Sequence, residues 1–146
     1  MRLAINAVME GEAAGVISAG NTGALMAMAK FVLKTLPGID RPAIATYFPT
    51  QRSESVMLDL GANVECKPIH LLQNAIMATA FLRRAYGVEN PKVGLLNVGS
   101  EKDKGHTLAK ETHELLASSS LSFAGNVEGG DIFQADLDVV VCDGFV

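Results

Sequence analysis

Apolar positions along the chain switch between helical and strand periods, and glycine marks most of the switches. Met1, Ile5, Val8 and Met9 recur on one helical face and predict an amphipathic helix that stops at Glu10-Gly11. Val16-Ile17 then reads as a short buried strand leading into Ser18-Ala19-Gly20-Asn21-Thr22-Gly23. A helix is expected from that loop to Thr35 or Leu36, where Pro37-Gly38 ends it. It is apolar on most sides, with Lys30 and Lys34 as a narrow solvated stripe, so it should pack against more than one neighbour.

Residues 43–48 and 55–60 carry the composition of strands. The connection between them, residues 49–54, is too short for a crossover helix, which makes the pair antiparallel. A long helix starts at Pro68, runs to about Tyr86 and stops at Gly87. His70, Gln73, Asn74 and Arg84 fall on its polar side, and Leu72, Ile76 and Leu82 on its packed side. Residues 92–98 form the next strand, followed by a helix over 104–117 with Leu108, Leu115 and Leu116 inward. Residues 121–124 predict another strand, 125–130 a glycine-rich turn, 132–134 a short helix and 139–142 a last strand. The order implies a three-layer α/β/α fold around a mixed, mostly parallel sheet. In such folds ligands bind beyond the carboxyl ends of the strands, and each glycine loop is expected at such an end.

Composition narrows the function without choosing it. The chain has 146 residues, and a formal net charge of −4 with no basic cluster beyond Arg83-Arg84 disfavours nucleic acid as a partner. Its two cysteines, Cys66 and Cys142, suit reduced thiols in a cytosolic protein better than a disulfide or metal framework. No apolar run is free of charge over membrane-spanning length; the longest, residues 24–36, holds two lysines. An apolar helical pattern already under way at Met1, and a strand left uncovered at Val146, suggest the central part of a longer α/β domain.

The loops carry the candidate chemistry. Ser18, Gly20, Asn21, Thr22 and Gly23 combine close backbone approach, polar side chains and the free N–H groups of a following helix, which favour an anion. Asn21 or Thr22 can equally be a helix cap. The loop lacks the Gly-Lys-Ser/Thr ending of a Walker sequence, and its glycines do not fit the dinucleotide fingerprint. Asp59, Gly61 and Asn63 repeat the arrangement: Asp59 can orient a ligand or another side chain, and Asn63 can donate to an oxyanion. The same residues also suit a capped turn before Pro68. Cys66, just ahead of a helix, has no evident base and reads as structural. Asn97, Glu101, Lys104 and His106 surround the next turn. Lys104 can neutralise a phosphate or a developing oxyanion, or simply sit in solvent, and His106 is a possible acid or base. Asn126, Glu128, Asp143 and Gly144 complete the rim, without a paired-carboxylate or metal constellation.

Five stretches taken in order resemble the phosphate acyltransferase (PlsX) family: Ser18-Ala-Gly-Asn-Thr-Gly-Ala-Leu-Met26, Leu58-Asp-Leu-Gly-Ala-Asn63, Val93-Gly-Leu-Leu-Asn-Val-Gly99, Gly125-Asn-Val-Glu128 and Val139-Val-Val-Cys-Asp-Gly-Phe145. The resemblance implies transfer of a fatty acyl group from acyl carrier protein to inorganic phosphate, for phospholipid synthesis, with no cofactor. It also implies a fold similar to isocitrate and isopropylmalate dehydrogenases and phosphotransacetylases, a homodimer, and loose contact with the cytoplasmic membrane face. Asn21, with Asn63 and Lys104, is then the expected carrier of charge stabilisation. Two residues depart from the family pattern: His106 stands where asparagine is expected, and Gly130 where arginine is common. A non-catalytic folding or dimerising segment, or a dehydrogenase of the same broad fold, are the alternatives.

Overall fold

The computed structural model describes residues 1–51, 54–134 and 136–145. Arg52 and Ser53, within the connection expected between the first two strands, and Val146, beyond the last, lie outside the described residues. The chain divides into two units, Met1–Pro42 and Ala43–Val146.

The first unit holds helices α1 (Arg2–Met9) and α2 (Thr22–Leu33). Ile5 of α1 is fully buried, and the helix ends at Glu10 ahead of Gly11, whose φ of +77° lets the chain turn. The expected strand at Val16-Ile17 does not form; Ile17 is fully exposed. A strand needs a neighbouring strand to hydrogen-bond with, and this unit contains none. The loop 18–23 therefore precedes a helix without following a strand. α2 stops at Leu33, earlier than Pro37 requires, with Lys34 at φ +66° as its C-cap and the Lys30 ammonium donating to Asp40 O at 2.7 Å. None of its residues is buried, contrary to the packing expected from its composition. Hydrophobicity reports what a helix could bury, and α1 is its only helical neighbour within the unit.

The second unit is built on β1 (Ala45–Pro49), β2 (Glu54–Leu58), α3 (Pro68–Tyr86), β3 (Lys92–Leu96), α4 (Thr107–Ala117), β4 (Ser122–Val127) and β5 (Val139–Val141). The sheet order is β1-β2-β5-β3-β4; β1 and β2 are antiparallel, and every other neighbouring pair is parallel. The mixed, mostly parallel sheet is thus the one expected. Val139, Val140 and Val141 lie at its centre and are buried on both faces, so their sequence shows no alternation. Leu71, Ala75, Ala78 and Leu82 of α3 and Leu116 of α4 pack with Val93, Leu95, Val139 and Val141 on one face. Met57, Val127, Ile132, Leu137, Val140 and Cys142 form a second cluster, in which Ile132 and Leu137 come from the connection between β4 and β5.

Several local expectations change. Ile76 is nearly half exposed, whereas His70, Gln73 and Asn74 are buried. The face of α3 turned to the sheet is set by small Ala75 and Ala78, which allow close approach, so side-chain size misidentifies it. The turn expected at residues 125–130 is partly strand, because β4 continues to Val127 past an irregularity between Val93 and Gly94. Gly125 sits there at φ +104°, so glycine permits the bulge rather than ending the strand. Residues 131–134 form a turn instead of a helix. α4 begins at Thr107 rather than 104, because Gly105 at φ +82° keeps the preceding residues in a loop.

Candidate active site

β2, β3, β4 and β5 run in one direction, so the loops after all four share one edge of the sheet. The loop after β2 is organised by Asp59, which is fully buried. Its Oδ1 accepts from Ile44 N at 3.0 Å and Ala62 N at 3.2 Å. Its Oδ2 accepts from Asn63 N at 2.8 Å and from Asn63 Nδ2 at 2.7 Å. A carboxylate with four internal donors is a hub that shapes the loop, leaving little capacity for a ligand. Asn63 O in turn accepts from Gly144 N at 3.0 Å and from the Cys66 thiol at 3.1 Å. A side chain at Gly144 would meet the Asn63 backbone at 2.8 Å, so glycine lets the loops after β2 and β5 touch. Gly61 serves the same turn with φ +83°.

Cys142, just after β5, donates to Asp59 O at 3.2 Å. Burial, reinforced by the charges of Asp143 and Asp59, pushes its thiol up to about 12. It is a packed neutral thiol, and Cys66 likewise lies against the core.

The loop between β3 and α4 is held by two asparagines. Asn97 donates through Nδ2 to Lys104 O at 3.1 Å and accepts from Val98 N at 2.8 Å. Asn126 donates to Glu101 O at 2.7 Å and meets His113 Nδ1 at 3.1 Å. Lys104 is half exposed, 4.0 Å from Glu101. Asn97 and Asn126 thus hold the backbone of this loop in place. In the other unit, Asn21 caps α2 by accepting from Ala24 N at 2.9 Å, and Ser18 Oγ accepts from Gly20 N at 3.2 Å. Thr22 and Gly23 supply the first turn of α2.

A cavity of about 590 Å³ opens at the ends of β3 and β5. Leu71, Leu95, Leu96, Val98, Leu108, Ala109 and Phe145 give it apolar walls; Asn97, His106 and Asp143 are its polar lining. His106 is the N-cap residue of α4, makes no side-chain capping bond and lines the cavity with Leu108 and Ala109, so the positive end of α4 lies beside it. His106 Nε2 stands 3.8 Å from Asp143 Oδ2. Asp143 and Asn97, both expected site residues, are thus gathered with His106, while Gly144, Lys104 and Asn126 are not part of the lining. The apolar wall was missed by sequence reasoning, because α3, α4 and β3 each contribute only part of it. Among the described residues no helix is long and apolar enough to cross a membrane.

A mixed, mostly parallel sheet with an apolar cavity and a polar rim at its strand ends defines an α/β protein with a ligand crevice in the usual place. Residues 1–146 match the family model described as "Fatty acid synthesis protein", and the chain belongs to that family. It is 63% identical over 147 residues to the phosphate acyltransferase of Rhodospirillum centenum, covering 99% of this chain and 41% of that protein. It is 59% identical to the phosphate acyltransferase of Chromobacterium violaceum, over 99% of this chain and 42% of that protein. For the phosphate acyltransferase of Polynucleobacter necessarius the identity is 56%, over 100% of this chain and 44% of that protein. The chain therefore spans less than half the length of these relatives. In structure it is similar to the EutD phosphotransacetylase from Staphylococcus aureus, with a TM-score of 0.66 and 19% identity, over 96% of this chain and 49% of the other. That likeness concerns the fold.

Proposed function

We propose that this chain is the central part of an acyltransferase that moves a fatty acyl group from an acyl carrier protein thioester to inorganic phosphate, giving acyl phosphate for phospholipid synthesis. The observation that carries the reading is the cavity at the ends of β3 and β5: long apolar walls, a polar mouth, and a helix N-terminus beside it. Apolar walls suit the acyl chain and the stem of its carrier, and the mouth suits the reacting carbonyl. The names of the relatives point to the same chemistry.

Phosphate is itself a competent nucleophile toward a thioester, so the protein has to bind it, align it and stabilise the tetrahedral oxyanion. In the first unit, the N–H groups of Thr22 and Gly23 at the start of α2, with Ser18, Gly20 and Asn21, are the candidates for phosphate; in the second, taken by itself, Lys104, half exposed on the loop after β3, and Asn63 are the candidates for charge stabilisation. In the same reading the complete enzyme is a cytoplasmic homodimer that touches the inner membrane face and uses no cofactor.

The test uses the full-length polypeptide carrying this sequence. Incubation with acyl carrier protein thioester and phosphate, followed by hydroxylamine, should trap an acyl hydroxamate only when both substrates are present. No hydroxamate, with the thioester intact, rejects the reading. Asn21→Ala should reduce its formation; an unchanged rate removes Asn21 from the site.

A further inference from the structure

We propose that His106, set beside Asp143 at the mouth of the cavity, carries the proton of the acyl-transfer step. The inference rests on the acyltransferase reading above. The two side chains differ in exposure: Asp143 keeps only 10% of its side chain in solvent, whereas the His106 side chain is 68% exposed. A carboxylate fixed in the wall, with Oδ1 accepting from Phe145 N at 3.3 Å, thus faces an imidazole free to meet a ligand. Their 3.8 Å separation becomes an ion pair when the ring is protonated. The ring's location follows from its loop: Gly105 turns at φ +82° against the Asn97 amide, and α4 begins immediately after His106.

Asp143 faces His106 from the end of β5. Lys104, on its own loop, stands near Glu101. Lys110 donates its backbone N–H to His106 O from α4. Gly129 lines the cavity from the segment after β4, next to Glu128, whose N–H donates to Asp131. The other two histidines are engaged elsewhere, His113 with Asn126 and His70 with the Lys67 N–H.

In the proposed step an oxygen of hydrogen phosphate bonds to the thioester carbonyl carbon, and the carbonyl electron pair moves to oxygen. That pair returns as the carbon–sulfur bond breaks, and sulfur leaves with the bonding pair. His106 takes the proton that hydrogen phosphate gives up and delivers it to the departing sulfur. The ring ends as it began, and the products are acyl phosphate and free thiol. Asp143 stabilises the imidazolium while it holds the proton.

The experiment compares wild type, His106→Gln and Asp143→Asn in the full-length polypeptide. It measures kcat, KM for phosphate and the pH–rate profile, using the natural thioester and an aryl thioester whose leaving group needs no proton. His106→Gln should lower kcat on the natural thioester by about 100-fold, lose one limb of the pH profile, and recover most of its rate on the aryl thioester. Asp143→Asn should show a smaller fall of the same kind. An active wild type alongside a His106→Gln variant with unchanged rate and profile overturns this inference alone. So does a rate loss equal on both thioesters with the pH limb retained, which would mark a structural role. A wild type forming no acyl phosphate overturns the functional reading and this inference with it.

Discussion

Asp59 illustrates how one residue is settled by its partners. Its two oxygens receive four donors from Ile44, Ala62 and Asn63, so removing the carboxylate strands several polar groups in a region closed to water. Asp59→Ala is expected to cost about 3 kcal/mol of stability, read as a lowered urea midpoint with little change in slope. Cys142 offers a pH test at the same scale. In the folded chain its thiol keeps its proton up to about 12, while an unfolded thiol releases it near the ordinary 9.0. This contribution to stability is complete below pH 9 and is lost as pH rises toward 12. Cys142→Ala lacks that loss, so wild type should destabilise more steeply with pH than the variant above pH 9, as measured by denaturant titrations across that range.

Elements in this chain end where their punctuation is strong and drift where it is weak. Pro68 and Gly87 bound α3, and both are visible in the sequence: proline needs no N–H at the first helical position, and Gly87 takes φ +70° at the C-cap. Val16-Ile17 had no comparable signal, since a strand is defined by a hydrogen-bonding neighbour that the segment itself does not encode. Asn21 was legible as a cap or a ligand contact, and its bond to Ala24 N supplies the cap. Asn21→Ala should therefore cost about 1 kcal/mol in unit 1, detectable as lost helicity on heating, in addition to any effect on activity. Gly144 belongs to the junction of two loops. Gly144→Ala must displace the Asn63 backbone, lowering stability by about 1–3 kcal/mol in thermal melts.

Across the whole molecule, burial is uneven. The second unit contains both hydrophobic clusters, whereas the first contributes Ile5 as its fully buried apolar residue. Hydrogen exchange on the 146-residue chain should show the amides of β3 and β5 exchanging slowest and those of α2 fastest among the helices, since α2 buries no residue. Equal protection of α2 and β5 would contradict this ordering.

The sequence by itself determined the mixed sheet, the helix bounded by Pro68 and Gly87, and the placing of polar loops after β2, β3 and β5. Those features depend on residues close together in the chain, through periodicity, turn conformations and the length of a connection. Tertiary structure alone decided that Asp59, Asn97 and Asn126 spend their hydrogen bonds on the scaffold, and that His106 meets Asp143 across the mouth of an apolar cavity. Those outcomes depend on which strands become neighbours. Pairing β5 between β2 and β3 brings Asp143, Asn63 and the loop of His106 to one edge, although they are far apart along the chain.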